Sequence, residues 1–99
     1  MDRARPRGCL IVSGALACGE EAEPVRRELA RLRQAAVTAF RERFERAMRE
    51  GDLPGGTDCA TLARYIATVL NGLAVQAASG ATEKELRSVA AMAMRVWPA

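Results

Sequence analysis

Three cysteines and a complete lack of histidine limit the chemistry this chain can perform. Cys9, Cys18 and Cys59 are odd in number and widely spaced, which supplies no disulfide framework. Without histidine or a CxxC pair, no zinc ligand set can be assembled, and no Ser–His or Cys–His nucleophile pair exists. Cys59 stands where a helix begins, and a helix N-terminus favours an anion. No recognisable base accompanies it, so it reads as a small first-turn residue. Glu20, Glu21 and Glu23 crowd ahead of Pro24, where acidic residues suit a helix start. No catalytic residue, metal or cofactor is expected, and the chain is not read as an enzyme.

The opening "MDRARPRGCLIVSGALACGEE" carries a different kind of chemistry. A basic segment, a short apolar core and Ala15-Leu16-Ala17 ahead of Cys18 are the parts of an exported lipoprotein leader. Against that reading, Ala15 stands where a bulky aliphatic residue is usual, and Gly14 interrupts the core. The rival reading is a buried helix over 9–18. No segment reaches the about 20 apolar residues needed to cross a bilayer.

Hydrophobic residues make up 49% of the chain and charged ones 27%, which is globular, and 99 residues suffice for one modest core. Alanine, leucine, arginine and glutamate dominate, all strong helix formers, so the fold class is all-α. The net charge is +3, but glutamates are interleaved with the arginines. Only Arg3, Arg5 and Arg7 make a basic cluster, which falls short of a one-sided nucleic-acid-binding face.

Punctuation divides the rest into helices over about 9–18, 24–50, 58–79 and 83–97. Residues 1–7 are read as a frayed basic terminus and 8–97 as a single helical domain. Pro24 suits a first helical turn. From Val25 the apolar residues recur at Leu29, Leu32, Ala36, Phe40, Phe44 and Ala47/Met48, a helical spacing whose stripe drifts around the axis. Arg41–Glu45, Glu42–Arg46, Glu45–Arg49 and Arg46–Glu50 are spaced to lace the solvent face. Gly51 stops this helix, and Asp58 caps the next.

Over 58–79, Leu62, Ile66, Val69, Leu70, Leu73 and Ala77 form one stripe. Beside it Ala63, Ala67, Ala74 and Ala78 form a ridge of small side chains that lets a partner helix approach closely. Thr82 and Glu85 make a capping box for the last helix. Leu86, Val89, Ala90, Met92, Ala93, Met94, Val96 and Trp97 then cover more than half its circumference, and Pro98 closes it. A helix on the outside of a monomer needs a stripe only about 100° wide. The surplus fits either a tight core in which both helices sit centrally or, the favoured reading, an isologous dimer in which the last two helices pack on their own copy as a four-helix bundle. The residues assigned to that interface are Ala63, Ile66, Ala67, Val69, Leu70, Leu73 and Ala74 from one helix. The other contributes Leu86, Val89, Ala90, Ala93, Val96 and Trp97.

"RGCLIVSGALA", the long helix ending "AMREGDLPGGTD", and "ATLARYIATVLNGLAVQAASGATEKELRSVAAMAM" together resemble the C-terminal domain of TetR-family transcriptional regulators. The resemblance runs from Arg7 to about Val96. It implies a cytoplasmic, four-helix antiparallel bundle-like domain for effector binding and dimerisation. Asp58–Ser79 and Glu83–Trp97 would then be the dimer helices. It also implies a small apolar effector, for which Leu10, Phe40, Phe44, Met48 and Val69 are candidate pocket residues, with core packing the favoured role for all five. The family's N-terminal helix-turn-helix has no counterpart here, so a truncated regulator without direct DNA binding is expected. Such a chain would form a homodimer, or a heterodimer with full-length relatives.

Overall fold

The computed structural model describes residues 23–98, which form three α-helices and a closing 3₁₀ turn. α1 spans Glu23–Arg49, α2 Cys59–Ala78 and α3 Glu83–Ala93, followed by the 3₁₀ turn Met94–Val96. The expected helix over 9–18, the Ala15–Cys18 leader motif, Cys9 and Leu10 lie outside the described residues. No strand occurs among the described residues, in keeping with the all-α composition.

α2 is the central element and packs on both neighbours. Val37 of α1 meets Ala63 and Ala67 of α2, whereas Ala47 sits near Leu53 and Leu62, so α1 and α2 run antiparallel. The Tyr65 hydroxyl donates to the Ala93 carbonyl at 2.8 Å, and Leu73 lies beside Leu86, which makes α3 antiparallel to α2.

Both interhelical corners are built from the same device. α1 ends at Gly51, whose φ of +86° suits a residue without a side chain, and Asp52 N–H reaches back to the Ala47 carbonyl at 2.8 Å. Leu53 then folds under Ala47, burying itself almost completely. α2 ends the same way at Gly80, φ +101°, with Ala81 N–H bonded to the Gln76 carbonyl at 3.0 Å. The helix starts are capped as their sequences dictate. Asp58 accepts from the Thr61 N–H at 3.0 Å and from its hydroxyl at 2.7 Å, and these two bonds hold the carboxyl below the usual aspartate range. At α3 the Thr82 hydroxyl accepts from Glu85 N–H while the Glu85 carboxylate accepts from Thr82 N–H, lowering the Glu85 pKa.

The last helix is shorter than its apolar pattern. α3 stops at Ala93 and tightens into the 3₁₀ turn, because Pro98 forces Trp97 into an extended conformation with ψ 129°. That break turns the Trp97 ring back onto α1, where it meets Phe44 edge-on with centroids 5.3 Å apart. Of the four anticipated ion pairs on α1, only Arg46–Glu50 forms, at 3.1 Å. Glu45 is half-buried rather than solvent-facing, and α1's other pairs gather near its start, Glu23 with Arg26 and Arg27, and Glu28 with Arg31. All are exposed and contribute little.

Candidate functional site

Two surfaces remain after the core has formed, one between α1 and α2 and one along α3. The core itself settles several assignments. Ala63 is fully buried within the chain, and Ala67 nearly so, both against Val37 of α1. The small-residue ridge therefore admits a close helix, but that helix is α1 of the same chain. Winding α2 at about 100° per residue sets Ala63, Ala67, Leu70 and Ala74 within an arc of roughly 60°. Leu70 and Ala74 accordingly line the cleft beside α1. Within the chain, α1 thus covers Ala63 and Ala67, whereas Leu70 is still 49% exposed and Ala74 half-buried.

Ile66 and Trp97 are likewise drawn inward, onto the cluster of Ala47, Leu53 and Leu62. Phe44 and Met48 pack on the same cluster, the core role favoured for them. Phe44 also stacks on Phe40 at 6.1 Å and touches the upper cluster of Val37, Ala63 and Ala67. It ties the two halves of the core together.

The cleft between α1 and α2 has an apolar part of about 230 Å³, lined by Leu32, Ala36, Phe40, Leu70 and Ala74, with Arg33 and Asn71 at its polar edge. Of the candidate pocket residues among the described ones, Phe40 lines it and Val69 is half-buried elsewhere on α2. A second, polar hollow of about 240 Å³ is lined by Arg33, Gln34, Arg64, Thr68 and Asn71. Arg33, Asn71 and Ala67 belong to both. Arg64 donates to the Gln34 side chain at 3.3 Å, whereas the Arg33 Nη1 is buried without a hydrogen-bond partner. A buried donor left unpaired costs about 1–3 kcal/mol, and more when charged. Arg33 was missed in the sequence, although a signal is present. It occupies a turn of the apolar stripe, between Leu29 and Val37, where an aliphatic residue would continue the pattern.

The second surface is a ridge on α3 and the turn that follows. Val89, Met92 and Val96 are 53%, 64% and 63% exposed; winding places Val89 and Met92 about 60° apart on α3, and Val96 follows in the 3₁₀ turn. Leu86, Ala90 and Ala93 sit lower, half-buried against α2. On the adjoining side of α2, Val69 and Leu73 are half-buried, and Gly72 has open space where a side chain would stand. Among the described residues no His/Cys/Asp/Glu group could hold a metal ion, and no helix is long and apolar enough to cross a membrane.

The family model described as "Tetracyclin repressor-like, C-terminal domain" matches residues 1–93. No curated protein matches the chain. Among solved structures, a cysteine mutant of the TetR family transcriptional regulator CifR, complexed with 26-bp double-strand operator DNA, is similar with a TM-score of 0.88 and 42% identity, over 98% of this chain and 51% of that one. A second CifR cysteine mutant, also with operator DNA, has a TM-score of 0.86 and 43% identity over 94% of this chain and 48% of that one. The chain thus spans about half the length of these transcriptional regulators. Because that family model covers residues 1–93, the chain belongs to the tetracycline-repressor-like C-terminal domain family of the TetR transcriptional regulators.

Proposed function

We propose that this chain is the dimerisation and effector-binding part of a transcriptional regulator working in the cytoplasm. In this reading α2 and α3 of two copies form a four-helix bundle, and a small molecule enters between α1 and α2. The supporting observation is the ridge of Val89, Met92 and Val96, three large apolar side chains left more than half exposed along a short helix and the turn that follows it. Scattered exposed leucines or valines need no explanation, but a contiguous ridge beside a second half-buried helix face does. Val69, Leu73 and the open space at Gly72 continue that face onto α2. A two-fold interface would set Val89, Met92 and Val96 against the same surface of the second copy and remove them from water. An ordinary interface of about 800 Å² per partner is within reach of two helices of this length.

Coupling of dimerisation to folding gives the test. The melting temperature should rise by several degrees as concentration is raised a hundredfold, because association stabilises the folded state by mass action. A melting temperature independent of concentration over that range would remove the dimer from the account.

A further inference from the structure

We propose that the α1–α2 cleft binds a small carboxylate with a short apolar body, its anionic head held by Arg33 and Arg64. The inference rests on the effector-binding reading above and adds the chemical class of the ligand. The two hollows are continuous in their residues: Leu32, Phe40 and Leu70 line the apolar part, Arg64 and Thr68 the polar part, and Arg33 both. A site that is greasy at one end and cationic at the other is complementary to an amphipathic anion.

The charge arrangement strengthens this. Neither Arg33 nor Arg64 has an acidic residue three or four positions away along its helix, and neither is in an ion pair among the described residues. No Asp or Glu lines either hollow. Two arginines thus line one small polar hollow that has no carboxylate among its residues, and the Arg33 Nη1 is buried without an acceptor. A carboxylate supplies two acceptor oxygens in the planar geometry a guanidinium matches. The Asn71 amide offers a further donor at the junction. With about 230 Å³ in the apolar part, the space is smaller than the roughly 300 Å³ where drug-sized pockets begin, so the body must be small.

Isothermal titration of the full chain with octanoate, octan-1-ol and inorganic phosphate tests the proposal. Octanoate should bind saturably and at least 10-fold more tightly than octan-1-ol or phosphate. Arg33→Met should weaken octanoate at least 10-fold with octan-1-ol unchanged, and Arg64→Met should act in the same direction. The comparison between octanoate and octan-1-ol on the unmodified chain needs no variant to fold. Equal binding of those two would overturn carboxylate recognition and leave an apolar effector site standing. Phosphate binding as tightly as octanoate would overturn the apolar half. If no probe binds, both the carboxylate proposal and the effector reading of this cleft fail.

Discussion

Replacing Val89 and Met92 together by glutamate is expected to convert a dimeric chain into a folded monomer. Both side chains are more than half exposed in the single chain, so surface glutamates there disturb little of the fold, and glutamate is a good helix former. In the dimer the same positions are covered, and each protomer would carry two carboxylates into a low-dielectric seam without partners. An uncompensated buried charge costs several kcal/mol. Association should therefore weaken by at least about 100-fold, or about 2.7 kcal/mol. Sedimentation equilibrium reads the mass and far-ultraviolet circular dichroism the helix content. A double variant that remains dimeric with native helicity would place the interface elsewhere.

Phe44→Ala is expected to have the largest effect on folding itself. The ring packs on both core clusters, stacks on Phe40 and receives Trp97 edge-on. Removing it leaves a cavity at the one place where the helix ends and the C-terminal turn converge. Truncating a buried Phe costs about 3–5 kcal/mol, and the lower end applies because Phe44 is half-buried. Domains of this kind hold only about 5–15 kcal/mol in all, so the melting temperature should fall by more than about 10 °C. Were Phe44 a pocket wall, its loss would enlarge a cleft at little cost to stability. A drop of under a few degrees would support a pocket role over a core role.

Much of the fold was readable because helix ends are written locally. Asp58, the Thr82/Glu85 pair, Gly51 and Gly80 act within one turn of themselves, and the boundaries they predict hold to within a residue. The direction each apolar residue faces is a different matter. A helical wheel measures how much surface must be covered, not which neighbour covers it. On α2 the alanine ridge correctly signalled a close helix, yet Ala63 and Ala67 could have met α1 or a second copy equally well. Only the antiparallel return of α1 decides between them. Trp97 escaped for a related reason: the extended residue ahead of Pro98 redirects its ring, which a continued helical wheel places elsewhere. Arg33 was hidden by its type, since one arginine among fourteen draws no notice until its missing partner is seen in three dimensions.

If a second copy of the chain covers the α3 ridge, sedimentation velocity of the unmodified protein at micromolar concentration should show it. A dominant species of twice the 10.7 kDa chain mass is expected, dissociating only on strong dilution. A single 10.7 kDa species throughout the micromolar range would contradict it.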